Sequence, residues 1–217
     1  MIADIPEFIR ENTRISAPSH VPELRLHLAD DAVALWEMTE EELGRIGLPP
    51  PFWAFAWAGG QALARHILDH PEIVRGKNVM DVASGSGLVS IAAMKAGAQK
   101  AIAIDIDPFC APAALMNAAL NDVSVSTSDQ DPIGKPTGCD LILVGDLFYD
   151  RDIATPLLAW LHELSAQGKT ILIGDPGRTY LPKDKLEKLA EYVIPTPRTL
   201  EDSEVKRTGV WRLKADR

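Results

Sequence analysis

The chain has 217 residues, 46% of them apolar and 24% charged, which suits a folded domain with a full core plus an extension. A net charge of −9 argues against the basic footprint of a nucleic-acid binder, and no apolar run reaches the ~18 residues of a bilayer span. Cys110 and Cys139 have no metal-ligand spacing, so no metal site is expected and both read as reduced thiols.

The opening Met1–Glu7 lacks the basic-then-apolar layout of a secretory leader, so the expected location is the cytoplasm. An amphipathic stretch, Pro6–Thr13, leads into a polar segment. Glu23–Leu28 then alternates apolar and polar residues, the period of a strand. Val33–Trp36 reads as a further short strand, and Thr39-Glu40-Glu41-Glu42 as the capping box of a brief helix stopping at Gly47. Leu48-Pro49-Pro50-Pro51 continues neither, which divides an accessory or lid segment, residues 1–50, from a main domain, 51–217.

Phe52-Trp53-Ala54-Phe55-Ala56-Trp57-Ala58-Gly59-Gly60-Gln61 runs into a helix through Leu68. Phe52 and Phe55 read as a hydrophobic plug. Trp57, where the chain turns into the helix, either joins that plug or covers a ligand, with the Gln61 amide one turn further on in the same cleft. His66 reads as a solvated helix histidine.

Val79–Ala92 is the most informative stretch. A buried strand ends at Asp81, and Gly85-Ser86-Gly87 forms a turn at which the backbone approaches a ligand that a Cβ would exclude. A helix begins near Leu88 and ends before Gly97. The strand Ala101–Ile104 then ends at Asp105, about 20 residues past the first glycine, the position from which a carboxylate reaches a nucleotide ribose. Ile106 falls beside it in the same binding set. Asp81 would repel a pyrophosphate at close range, whereas the sulfonium and ammonium of S-adenosylmethionine would be attracted.

Further along, a helix starting at Pro108 precedes a third strand, Val123–Thr127. Asp129, at that strand's carboxyl end with Gln130 and Asp131, offers an acceptor for an adenine amine, although Asp131 before a proline suits a turn equally well. The fourth strand, Cys139–Gly145, ends in Asp146-Leu147-Phe148-Tyr149-Asp150. Asp146 and Tyr149 there face the ligand crevice, or else the stretch is a helix N-cap at Asp150 or Asp152 with Phe148 and Tyr149 packing locally. An amphipathic helix over Ile153–Leu164, a fifth strand over Thr170–Gly174, a helix over Lys183–Tyr192 and a last strand at Val210–Leu213 complete the chain. Strands alternating with helices predict an α/β fold with a mostly parallel sheet and an antiparallel strand near the C-terminus.

With these blocks in order over residues 52–178, the chain resembles the Rossmann-like seven-strand methyltransferases. More closely, it resembles the lysine methyltransferases that modify the β-subunit of electron transfer flavoprotein, in a bacterial form. The resemblance implies that Trp57, Gly85, Ser86, Gly87 and Gly145 contact S-adenosylmethionine and that Asp105 holds its ribose. It also implies that Asp146 and Tyr149 border the entry of a lysine from the flavoprotein subunit. Ala58 stands where animal relatives carry proline. Two alternatives stay open: methylation of ribosomal protein L11 or of a small amine, and a non-catalytic binding module. The L11 enzymes carry an Asn-Pro-Pro-Tyr-like block after the fourth strand, where this chain has Asp146-Leu147-Phe148-Tyr149.

Overall fold

A computed structural model describes residues 2, 4–29, 50–196 and 205–214. The short strand expected at Val33–Trp36 and the helix expected after Thr39 lie outside the described residues. Helix α1 (Ile5–Glu11) is capped by the Asp4 side chain and leads to a two-stranded antiparallel pair, β1 (Arg14–Ser16) with β2 (Leu26–Leu28). The main body then alternates. Its elements are α2 (Ala58–Asp69), β3 (Asn78–Val82), α3 (Leu88–Lys95), β4 (Lys100–Ile104), α4 (Cys110–Leu120), β5 (Ser126–Ser128), β6 (Leu141–Gly145), α5 (Arg151–Ala166), β7 (Thr170–Asp175), β8 (Leu186–Pro195) and β9 (Val205–Leu213).

Strands β3 to β9 form one seven-stranded sheet in the order β5-β4-β3-β6-β7-β9-β8. The pairings from β5 through β7 are parallel, and β9 runs antiparallel to both β7 and β8. The sequence-predicted fold class therefore holds. Because β3 connects to β4 on one side and pairs β6 on the other, the strand order reverses between β3 and β6. Ligands in open α/β sheets bind at the carboxyl ends of the strands flanking such a reversal.

The central strands are nearly continuous apolar runs because helices cover both faces. Val79, Leu141, Leu143 and Leu172 pack under Leu63 and Ile67 of α2, while Met80, Ile142, Val144 and Ile173 pack under Leu157 and Leu161 of α5. The N-terminal segment is fastened to α4 by two asparagines: Asn117 Oδ1 accepts from the His27 N–H, and Asn121 bonds both the N–H and the carbonyl of Arg25. Its own Ile9, Val21, Leu24 and Leu26 are fully buried.

Three expectations need correction. Residues Lys183–Tyr192 are not a helix; a single 3₁₀ turn at Lys183–Lys185 leads into β8, which pairs β9 from Leu186 to Pro195. A register shift between Lys188 and Ala190 moves Leu186 and Ile194 into the cores on opposite faces, and this phase break mimics helical spacing. His66 is buried, not solvated, with Nδ1 at 3.1 Å from the Tyr192 hydroxyl. Phe52 is exposed, and Trp53 takes its place beside Phe55 in the apolar cluster under Phe109.

Helix α2 meets the sheet unusually closely. A Cβ on Gly59 would overlap the Gly174 carbonyl oxygen and lie 2.5 Å from Asp146 Oδ2; one on Gly174 would lie 2.9 Å from the Leu63 Cβ. Neither backbone has room to retreat. Gly59→Ala is expected to cost about 3 kcal/mol in urea unfolding, while Gly138→Ala, with no atom within 4 Å of its Cβ, stays within about 0.5 kcal/mol of the parent. Equal stabilities for the two variants would contradict this close packing.

Candidate active site

A pocket opens at the strand-order reversal, between the glycine turn after β3, the end of β6 and the start of α2. Gly85 and Gly87 have φ of +48° and +78°, conformations that ordinary side chains rarely adopt, and a Cβ on Gly87 would strike Ala114 of α4 at 2.8 Å. The floor of the pocket is thus main chain. Ser84 Oγ, in the same turn, is buried and has no hydrogen-bond partner among the described residues.

Acidic groups ring this floor. Asp81 is 2% exposed, and its Oδ2 accepts from the Ser90 N–H at 2.9 Å. Burial, reinforced by the charge of Asp105, pushes its carboxyl up to about 7. Asp105, at the end of β4, accepts from the Gly85 N–H with Oδ2 and from the Asp107 N–H with Oδ1. Each oxygen keeps a lone pair for a hydroxyl donor. Asp107 is itself raised to about 6 by burial.

The opposite wall is Asp146, a residue with φ of +56° and 8% exposure. Its Oδ2 accepts from the Gly60 N–H at 3.0 Å, in the first turn of α2, and its Oδ1 from Arg178 Nη2 at 2.9 Å. A left-handed conformation at a non-glycine residue is strained, and such strain persists where surrounding contacts fix it. The close approach of Gly59 and Gly60 to the sheet supplies those contacts. Phe52, Trp57 and Tyr149 form the rim: Phe52 lies 5.7 Å from Trp57 and 6.4 Å from Tyr149, ring to ring. Tyr149 is 47% exposed, and burial of its other half together with the nearby Asp150 and Asp105 charges raises its hydroxyl pKa, so it stays a phenol at neutral pH.

Trp57, Asp81, Gly85, Ser86, Gly145 and Asp146 therefore line one pocket, with Gly87 at its edge and Tyr149 on its rim. Gln61 is turned away: its amide oxygen accepts from Ser19 and His20 of the N-terminal segment, and its amide nitrogen donates to the Ala56 carbonyl. Ile106 is 71% exposed beyond β4, and the Asp129 carboxylate is exposed and accepts from the Gln130 side chain. Two groups that carried no role in the sequence join the site: the Gly60 N–H, which donates to Asp146, and Arg178 in the turn Asp175-Pro176-Gly177-Arg178 after β7. The sign of a role there was its position, an acid and a cation at the carboxyl end of the strand beside β6.

The donor set fits a ligand with positive charge and a vicinal diol: buried carboxylates, a glycine floor, an unpartnered hydroxyl, and no cluster of metal-ligating side chains among the described residues. The mouse (Mus musculus) electron transfer flavoprotein beta subunit lysine methyltransferase is 37% identical to this chain over 212 residues, 94% of this chain and 82% of that protein. The chain belongs to that family. The zebrafish (Danio rerio) member is 38% identical over 217 residues, covering 96% of this chain and 83% of its own length. A solved structure of magnesium protoporphyrin IX methyltransferase from Synechocystis PCC 6803 shares the fold, with a TM-score of 0.52 and 14% identity over 72% of this chain and 80% of that one. A model of the family described as ribosomal protein L11 methyltransferase (PrmA) matches residues 63–143. That match stops before Asp146, so it spans α2 to β6 and omits the rim of this family member.

No helix among the described residues is long and apolar enough to cross a membrane. The raised Asp81 carboxyl has a consequence for stability. Its folded value of about 7 lies above the ordinary 3.8, so the stabilisation it gives is complete below the unfolded value and is lost as pH rises through about 7. Asp107 and Asp175, each raised to about 6, act with the same sign. Asp81→Asn, which resembles the protonated acid, is expected to gain roughly 1–3 kcal/mol on the parent between about pH 5 and pH 8 in urea titrations. A pH-independent gap between the two would contradict the burial of an ionisable Asp81.

Proposed function

We propose that this protein transfers a methyl group from S-adenosylmethionine to a lysine of an electron transfer flavoprotein β-subunit, in the cytoplasm. The observation that carries this reading is the position of Asp146, between the glycine floor and an aromatic rim, in a chain of this family. Bound S-adenosylmethionine supplies an electrophilic methyl group on a sulfonium. Asp81 would sit near its cationic end, the turn at Gly85 and Ser86 beneath it, and Asp105 at its ribose hydroxyls. Trp57 and Gly145 would close the same pocket. Ile106 and Asp129 enter this proposal only as outer contacts at the strand ends, and Gln61 as a support for the segment that covers α2.

The residues of the chain then have three tasks. Phe52, Trp57 and Tyr149 present flat apolar surfaces to the methylenes of a lysine and π-faces to its nitrogen. Together they keep water from the nucleophile, which is most of what an in-line displacement asks of a protein. Asp146 accepts a hydrogen bond from the amine and aims its lone pair. A lysine ammonium has no lone pair, and with a reference pKa of about 10.4 its neutralisation at pH 7 costs about 4–5 kcal/mol. Asp146, already bonded to Arg178 and Gly60, is suited to orienting the amine, and the proton leaves to water.

Residues 1–50 act in this proposal as an accessory segment to a transfer domain at 51–217, its described part clasped by α4 and Gln61. The match of residues 63–143 to the L11 methyltransferase model supports a second reading, methylation of a ribosomal protein; it bears on the pocket's floor and not on its rim.

The test is transfer of a labelled methyl group to purified flavoprotein subunit and to ribosomal protein L11, read by mass spectrometry. A shift on a flavoprotein lysine is expected; a shift on L11 alone would promote the second reading. Asp146→Asn is expected to lower kcat by about 100-fold with little change in cofactor affinity. Near-normal turnover would remove Asp146 from this role.

A further inference from the structure

Arg178 has so far figured only as a partner of Asp146, and its guanidinium is held from two directions. Its Nη2 donates to Asp146 Oδ1 at 2.9 Å, and its guanidinium carbon lies 5.8 Å from the centroid of the Trp57 ring. Its own main chain is fixed from below: Asp175 Oδ1 accepts from the Gly177 and Arg178 N–H groups at 2.6 and 2.7 Å. Asp175 is completely buried at the end of β7, the strand next to β6, and its Oδ2 has no partner among the described residues. A buried acid that spends one oxygen on two backbone donors of a turn fixes that turn in one conformation.

We propose that Arg178 is a positioning residue that balances the charge of Asp146, so that the pocket takes the substrate nitrogen as a neutral amine instead of an ammonium. The inference rests on the amine-methylation reading above. An unbalanced carboxylate on the rim would hold an ammonium strongly, and it would hold it unproductively, because that nitrogen has no lone pair to offer. The pair is only slightly exposed, with side-chain accessibilities of 21% for Arg178 and 9% for Asp146, so water screens it poorly. With the Gly60 N–H on one oxygen and Arg178 on the other, two of the roughly four acceptor positions of a carboxylate are taken up on Asp146. It has lost most of its net pull on a cation. The proton of the incoming ammonium is left in bulk water, and the nitrogen enters the pocket with its lone pair available.

Among the described residues, the other ionisable groups around the pair come from each neighbouring element. Asp175 ends β7, Tyr149 and Asp150 follow β6, Asp105 ends β4, and Asp81 lies in β3. Burial holds Asp81 near 7 and Asp175 near 6, which mutes part of that negative charge. Asp150 is engaged as the N-cap of α5. Asp146 is the carboxylate that lines the pocket beside the rim, and Arg178 is bonded directly to it.

The test uses n-butylamine, the lysine side chain without its backbone, titrated calorimetrically into the full-length protein from about pH 7 to about pH 10. The wild type is expected to bind it progressively more tightly as pH rises and the free amine accumulates. Arg178→Gln is expected to bind it on the order of tenfold more tightly at pH 7, Arg178→Lys to match the wild type, and the gain to vanish in Asp146→Asn/Arg178→Gln. A wild-type affinity that is flat or falls with pH overturns the proposal, even if Arg178→Gln does not fold. Equal binding by wild type and Arg178→Gln at pH 7, or none by either, overturns it as well. Because no flavoprotein enters the titration, failure of the wild type to methylate that protein would overturn the substrate assignment alone.

Discussion

Gly59 and Gly60 of α2 rest against Gly174 and Gly145 at the ends of β7 and β6, with no room for a Cβ on Gly59 or Gly174. The contact brings a helix N-terminus, with its unpaired N–H groups, directly onto the carboxyl edge of the sheet. The Gly60 N–H therefore reaches Asp146 Oδ2, and the left-handed backbone at Asp146 is held in place. On the other side of the strand reversal, Gly87 performs a related service by letting α4 approach the turn after β3. The two sides of the pocket are each set by glycine-sized gaps, and Asp146 takes its place from one of them.

Those acids share one problem. Asp81, Asp105, Asp107, Asp146 and Asp175 gather at the same edge of the sheet, and three of them are shifted upward mainly by burial. Burying carboxyls costs stability unless each finds donors or stays protonated. Here the donors are mostly main-chain N–H groups: Ser90 for Asp81, Gly85 for Asp105, Phe109 for Asp107, Gly177 and Arg178 for Asp175. Such bonds fix geometry while leaving the net negative charge in place. A site built this way is tuned for positive ligands, and Arg178 decides how much of that charge reaches the rim.

What the sequence disclosed and what it hid divide along physical lines. Asp81, Gly85, Gly87 and Asp105 were legible because strand, turn and strand are covalently close, so spacing alone sets where their side chains emerge. Asp146 was legible as the end of an apolar strand. Arg178 was not, because its meeting with Asp146 depends on β6 and β7 being neighbours and on the turn that Asp175 shapes. Strand β8 was hidden by a bulge that breaks its alternation near Leu189. His66 read as solvated because nothing local reveals that Tyr192, 126 positions away, covers it. Trp53 takes the inward place expected of Phe52, since a 3₁₀ turn over Phe52–Ala54 rotates Trp53 inward.

Gln61 shows how a correct location can carry a misleading chemistry. It follows Gly60 immediately, so it lies within one residue of the N–H that holds Asp146, as proximity to the cleft suggested. Its side chain faces the other way and seats Ser19 and His20 on the outer side of α2. One turn of helix thus anchors the N-terminal segment with a side chain and Asp146 with a backbone donor. Any change at Gln61 that shifted this turn would move the Gly60 N–H, and Asp146 has a strained backbone with little tolerance for displacement. Loss of activity on altering Gln61 would therefore be the expected result of a purely structural role. Contact with a ligand would have to be read from that ligand's own affinity, and the same logic separates the supports of this pocket from its walls.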